Sequence, residues 1–313
     1  MAPHVMTVTG PIPPDQLGFT LPHEHISCSV EFTAARELAY AFAPAQDTIV
    51  DELRDARRRG AATLVDVTSI GLGRDPRWLR SIASRTGMHV VMGSGWYRSS
   101  FYPPEARIDR RTVDDLADEI VAEFEHGVGD TGIRPGIIGE IGTDREWVGA
   151  AEERVHRAAA RAAQRTGLAV TTHSLHARVA FLQLRLFEEE GLDLGRVVIG
   201  HADALPDLDY YLAILDRGAM LGIDQLGADA DPVGAAREPR LVEALVELLE
   251  RGYASQLLLS QDVCHDRRLK ANGGFGYTYL QQHFLPKLRT AAVGEGEIAE
   301  MTIDNPRRLL ALA

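Results

Sequence analysis

Short apolar stretches alternate with longer stretches of helical periodicity along the whole chain, and this alternation is the first organising feature of the sequence. The short stretches predict strands over Gly18–Ile26, Ala62–Thr68, His89–Gly93, Gly136–Ile141, Leu168–His173, Val197–His201, Ala219–Asp224 and Gln256–Asp262. Most are apolar or β-branched and end in a polar residue or a glycine. The longer stretches predict helices over Thr48–Arg59, Pro76–Thr86, Thr112–His126, Ala151–Arg165, Ala177–Glu190, Pro206–Arg217, Pro239–Arg251 and Tyr277–Arg289. Several open at a proline or an acidic residue and close on arginine before glycine, which suits the two ends of a helix dipole.

Eight strand–helix pairs in one pass imply parallel strands joined by right-handed crossovers, which an open doubly wound sheet or a closed barrel would satisfy. The count of eight favours the barrel, and so does the absence of a glycine-rich nucleotide fingerprint after the first strand. No repeat and no linker rich in Pro, Gly or Ser divides the chain. Residues 1–313 are therefore expected to form a single α/β domain, a (β/α)8 barrel with its site at the C-terminal ends of the strands. Two long loops, Gly227–Glu238 and Asp262–Gly276, are expected to serve that site.

Composition narrows the function classes. Hydrophobic residues at 45% and charged residues at 25% are the balance of an ordinary globular protein with a large core. The net charge of −12 argues against nucleic acid or an anionic membrane as partner, since phosphate binding needs a basic face. Two cysteines, Cys28 and Cys264, fit a reducing compartment, and no basic-then-apolar leader opens the sequence. No apolar run approaches the roughly 20 residues that span a bilayer. A cytoplasmic location is the expectation.

The candidate chemistry sits at the strand ends. His23 and His25 lie two apart on the first strand and so share a face. Glu140 ends the fourth strand, His173 the fifth, His201 the sixth and Asp262 the eighth. Each alone has an ordinary structural reading as a polar strand face, a core histidine or a cap. Together, six imidazole and carboxylate groups at one barrel mouth would be costly to desolvate without a cation among them. Four histidines and two carboxylates suit Zn²⁺ first, with Mn²⁺, Co²⁺ and Fe²⁺ left open, and disfavour Ca²⁺ and Mg²⁺.

At these residues the chain resembles the phosphotriesterase family of the amidohydrolase superfamily. The resemblance rests on Gly18-Phe19-Thr20-Leu21-Pro22-His23-Glu24-His25, Val65-Asp66-Val67-Thr68, Gly93-Ser94-Gly95-Trp96-Tyr97, Gly200-His201-Ala202-Asp203, Ser260-Gln261-Asp262, Gly273-Gly274-Phe275-Gly276-Tyr277 and Asp304-Asn305-Pro306-Arg307-Arg308. It implies two divalent ions per chain: His23, His25 and Asp262 on the buried one, His173 and His201 on the more exposed one, and Glu140 as the bridge. Glutamate at that place, where the best-known members carry a carboxylated lysine, is similar to the phosphotriesterase homology branch. The implied reaction is hydrolysis of a lactone or carboxylic ester by hydroxide shared between the ions, with Asp262 as proton acceptor.

Around that core, Tyr97 is expected to meet the substrate oxygen. Gln225, His265 and Arg268, with Arg267 and Lys270, are candidates for the rest of the pocket, the bases for an anionic group. Gln225 stands where several lactonase relatives carry arginine. Asp203 is expected to cap the sixth helix or to orient His201. His4 reads as a loose tail, His126, His156 and His283 as helix residues, and His176 as a loop residue. The other readings are an N-acyl amide hydrolase, a phosphotriesterase, or an inactive metal-binding barrel serving as a binding protein. A small-molecule substrate is expected, and relatives are commonly homodimers.

Overall fold

The computed structural model describes residues 2–29, 41–175, 178–227 and 232–313, with the backbone alone at 232–236. Eight parallel strands run in sequence order around a barrel: β1 (Phe19–Glu24), β2 (Ala61–Asp66), β3 (His89–Ser94), β4 (Ile137–Gly142), β5 (Val170–His173), β6 (Val197–Gly200), β7 (Met220–Ile223) and β8 (Leu257–Leu259). β1 and β8 stand at the two ends of the hydrogen-bonded order. Between them the Asp262 N–H donates to the His23 carbonyl at 3.1 Å, and Ser260 Oγ both accepts the His23 N–H and lies 3.0 Å from its carbonyl. The seam therefore closes at the residues of the expected site.

Period-2 alternation splits the apolar strand residues into two layers. Val65, Val91, Ile137, Val198, Met220 and Leu258 fill the barrel interior beneath the mouth, with Leu17, Leu309 and Leu310 packed on them. Leu64, Val90, Ile138, Val170, Ile199, Leu221 and Leu257 face outward under the helices. Burying a side chain of this size contributes about 1.5–3 kcal/mol, so the two layers hold the strand ends in fixed positions.

The helices are α1 (Gln46–Arg58), α2 (Pro76–Thr86), α3 (Val113–His126), α4 (Ala150–Thr166), α5 (Val179–Glu189), α6 (Leu208–Leu215), α7 (Pro232–Glu250), α8 (Leu285–Thr290), α9 (Glu295–Ala299) and α10 (Asn305–Leu310). Sequence signals placed several ends well. Asp75 caps α2 ahead of Pro76, and Thr112 and Asp115 form a reciprocal capping box on α3. Among the described residues, no helix is long and apolar enough to cross a membrane.

Four expectations need correction. The loop expected over Gly227–Glu238 is largely helix: α7 starts at Pro232 and carries Pro239 inside it, so the proline read as a helix start is an interior residue. The last expected helix, Tyr277–Arg289, is a 3-10 turn over Gly276–Thr278, a π turn over Leu280–Phe284 and then α8. His4 is no loose tail: its N–H and carbonyl both pair with Leu312, next to a hairpin of Val5–Thr7 with Gly10–Ile12. Asp203 does not cap α6. Asp207 caps α6, while Asp203 receives the backbone N–H groups of Asp224 and Gln225 and so fixes the end of β7.

Candidate metal centre

All six strand-end residues meet at one point above the barrel interior. Glu140 is at its centre: Oε1 lies 3.4 Å from His25 Nε2, and Oε2 lies 2.9 Å from His173 Nδ1, 3.4 Å from His201 Nε2 and 3.5 Å from His23 Nε2. Asp262 Oδ1 stands 3.4 Å from His25 Nε2 and 4.0 Å from His23 Nε2. Every one of these residues is buried, and Asp262 is the most open at 7% exposure.

Glu140 owes its direction to an irregularity. Ile138 pairs with Val170 and Ile141 with Thr172, so β4 carries one residue more than β5 across this interval. Ile137 faces the barrel interior, and strict alternation would turn Glu140 outward; the extra residue returns it to the mouth. Gly139 makes this feasible. It has φ 127°, and a β-carbon there would lie 2.3 Å from the Thr171 carbonyl oxygen. Two further candidate ligands, His201 (φ 56°) and Asp262 (φ 52°), sit in the left-handed region, which costs non-glycine residues about 1–3 kcal/mol each and concentrates at functional sites.

Around these groups lies a set of orienting residues. Asp224, from the end of β7, takes His201 Nδ1 at 2.7 Å and the His201 N–H at 2.9 Å on one oxygen. Its other oxygen stands 3.1 Å from His23 Nδ1. His25 Nδ1 donates to Thr68 Oγ1 at 2.8 Å, since that hydroxyl itself donates to the Ser27 carbonyl. His25 and His201 are thereby held by hydrogen bonds at Nδ1 and His23 by an ion pair there, all three with Nε2 turned inward, the arrangement of metal-ligating histidines with outer partners. Glu24, between His23 and His25, points the other way. It accepts Ser260 Oγ at 2.8 Å, the Gln261 N–H at 2.9 Å and the Val263 N–H at 2.8 Å, bracketing Asp262 from both sides.

The electrostatics are those of a cation site. Burial acts to lower the His23 pKa, but Asp224 and Glu140 outweigh it and lift the imidazole to about 10. His25 and His201 are likewise raised against the pull of burial by their carboxylate partners. His173 falls to about 4, because burial and the neighbouring His201 outweigh Glu140. Burial acts to raise the Glu140 carboxyl, yet His173, His201 and His23 hold it well below the usual range. Burial lifts the Glu24 carboxyl to about 7 against its N–H donors.

The residues fit a pair of divalent ions. His23 Nε2 is fully buried and has no hydrogen-bond partner. Donors around a tetrahedral zinc at about 2.0–2.1 Å stand roughly 3.3–3.4 Å apart, close to the spacings of His25 with Glu140 and Asp262 and of His23 with Glu140. His23, His25 and Glu140 form one group of converging donors, and Glu140, His173 and His201 a second. In the second, His201 Nε2 and His173 Nδ1 approach to 2.9 Å, a hydrogen-bond distance.

Of the remaining predicted residues, Tyr97 adjoins the centre and the others lie around it. Tyr97 Oη lies 3.1 Å from His173 Nδ1. The Gln225 N–H goes to Asp203, and its side-chain oxygen lies 3.5 Å from Arg237 Nη1. Arg268 donates to the carbonyls of Gln261 and Asp262, and Lys270 pairs with Asp55 on α1. His265 is half-buried at the start of the turn Asp266–Arg268. His176 lies outside the described residues. Asp224 and Glu24 were missed by sequence reasoning; Asp224 ends a barrel strand and could have been found by the same rule that found the others.

The phosphotriesterase family model matches residues 3–310. The chain belongs to the phosphotriesterase family. Among its relatives, the N-acetyltaurine hydrolase of Danio rerio is 30% identical, over 98% of this chain and 97% of its own. The phosphotriesterase homology protein from Escherichia coli, solved with phosphate in the active site, is 31% identical with a TM-score of 0.87, over 95% of this chain and 99% of its own. A lactonase from Listeria monocytogenes is 26% identical with a TM-score of 0.90, over 98% of both chains. This family member is accordingly a barrel hydrolase with a buried histidine–carboxylate cluster suited to divalent metal.

Proposed function

We propose that the protein is a two-metal hydrolase of lactones or carboxylic esters. The observation that carries this reading is the reach of Glu140, whose two oxygens address His25 on one side and His173 on the other, so that one carboxylate joins both halves of the centre. Zn²⁺ is the preferred ion on donor chemistry. His23, His25 and Asp262 would hold one ion and His173 and His201 the other, with Glu140 between them. Bound there, the ions supply Lewis acidity and lower the pKa of water toward about 7.

The chain's own groups divide the rest of the work. Asp262, the most open of the carboxylates, accepts the proton of the attacking water and returns it to the leaving oxygen, so that ester and water become acid and alcohol. Burial and Glu140 push the Tyr97 phenol well up, which keeps it a hydrogen-bond donor beside the His173 side of the site. Asp224 and Thr68 hold three imidazoles in one orientation. Pre-set donors and ligands of this kind need no reorganisation as charge develops.

A second reading, hydrolysis of an N-acyl amide, is favoured by the similarity to an N-acetyltaurine hydrolase along nearly the whole chain. Both are tested by assaying metal-replete protein side by side on lactones, aryl esters, N-acyl amino acids and a phosphotriester. The proposal expects lactone or ester turnover to lead. Preference for the amide would replace it with the second reading, and no turnover of lactone, ester or amide would overturn both.

A further inference from the structure

We propose that Arg98 forms an anion-binding subsite beside the Tyr97–His173 edge of the centre, and that the substrate carries a carboxylate or another fixed negative charge a few bonds from the group that is cleaved. This rests on the hydrolytic reading above and adds the substrate's charge to it.

Arg98 follows Tyr97 just beyond β3. Its guanidinium carbon lies 4.9 Å from the Tyr97 ring centroid and 4.5 Å from that of Phe101, so two aromatic rings fix it in place. The Tyr97 ring is 4.7 Å from that of His173. Gly142 lets these residues approach closely: a β-carbon there would lie 3.0 Å from His173 Cβ, 3.4 Å from the Tyr97 carbonyl oxygen and 3.5 Å from Arg98 Cβ.

Among the described residues the guanidinium has one ion pair, a long one to Asp144, and no hydrogen bond at Nε. Only 17% of its side chain is exposed, and Nε is buried with no hydrogen-bond partner. The nearest carboxylate, Asp144, stands 3.8 Å from Nε, beyond hydrogen-bond reach. Asp144 is already committed to the N–H of Ser100 at 2.7 Å and to the hydroxyls of Ser99 and Ser100. A mostly buried arginine carries five donors in a planar fork matched to carboxylate and phosphate oxygens. The other bases expected to bind an anion are engaged elsewhere, Arg268 on backbone carbonyls and Lys270 on Asp55. Arg98 is a cation at the Tyr97–His173 edge whose Nε remains open to an acceptor.

The test compares γ-butyrolactone with the same lactone bearing a carboxylate on its γ-carbon, in metal-replete wild-type protein, Arg98→Met and Arg98→Lys. A charge-assisted hydrogen bond predicts that the wild type prefers the carboxylate by about tenfold or more in kcat/KM. That ratio is expected to fall to near one in Arg98→Met and to an intermediate value in Arg98→Lys, with thermal midpoints confirming that all three are folded. A wild-type ratio near one, or a ratio kept in Arg98→Met, overturns the proposal. Calorimetry of glutarate against butyrate gives a readout that needs no turnover. If neither lactone is hydrolysed, tighter glutarate binding that Arg98→Met abolishes upholds the subsite while the lactone reading fails, and equal binding by both proteins sinks the subsite as well.

Discussion

One oxygen of Asp224 accepts two hydrogen bonds from His201, from Nδ1 at 2.7 Å and from the backbone N–H at 2.9 Å. The second oxygen faces His23 Nδ1, so a single carboxylate orients imidazoles from strands on different sides of the barrel. Outer partners of this kind are worth about 10- to 100-fold in metal affinity. Asp224→Asn keeps the shape and removes the charge. Its affinity for Zn²⁺, measured against a competing chelator, is expected to fall by about that factor, and wild-type affinity would show that Asp224 is only a structural residue.

Glu140→Gln is the sharper change, because an amide offers one oxygen where the carboxylate offers two. The variant is expected to retain fewer than two ions per chain after dialysis and to lose most hydrolytic activity. Full occupancy with full activity would contradict the bridging role.

Asp262→Asn separates proton transfer from substrate binding. The amide cannot take a proton from water at neutral pH, so kcat is expected to drop by about 10²- to 10⁴-fold, the usual worth of a general base, with a smaller change in KM. An unchanged kcat would remove Asp262 from the reaction.

His156 gives a pH prediction away from the metal centre. It lies on α4, wholly buried, with Nδ1 on the Glu152 carbonyl and Nε2 unpartnered. Burial lowers its pKa from 6.5 to about 4. The folded state thus binds this proton more weakly than the unfolded state, so the stability that neutral His156 allows is whole above pH 6.5 and drains away as pH falls toward 4. The loss amounts to about 3 kcal/mol. Wild-type thermal midpoints should fall over that window more steeply than those of His156→Leu, both in chelator. Parallel curves would refute the assignment.

Much of this architecture was legible because barrel chemistry obeys a positional rule. His23, His25, His173 and His201 were selected from the ends of apolar strands, and the structure gathers them with Glu140 and Asp262 at one mouth. What escaped was whatever depends on three-dimensional neighbours. The inward turn of Glu140 relies on an extra residue in β4, which alternation alone would have read the other way. Glu24 lies between two histidines in the sequence with no motif of its own, yet it ties down the turn that carries Asp262. Arg98 carried no motif, and its unfilled donors emerge only once Tyr97, Phe101 and Asp144 are in place around it. α7 starts at Pro232 and runs through Pro239, because a proline can stand inside a helix as well as at its first turn and its identity alone does not mark the start.

Metal analysis joined to activity tests the central claim most directly. Protein purified without added metal or chelator, then analysed for its elements, is expected to carry about two divalent transition ions per chain. Ester or lactone hydrolysis should vanish on chelation and return when Zn²⁺ is added back. Protein that holds no transition ion and gains none from added Zn²⁺, Mn²⁺, Co²⁺ or Fe²⁺, or that hydrolyses equally well without metal, would contradict the account.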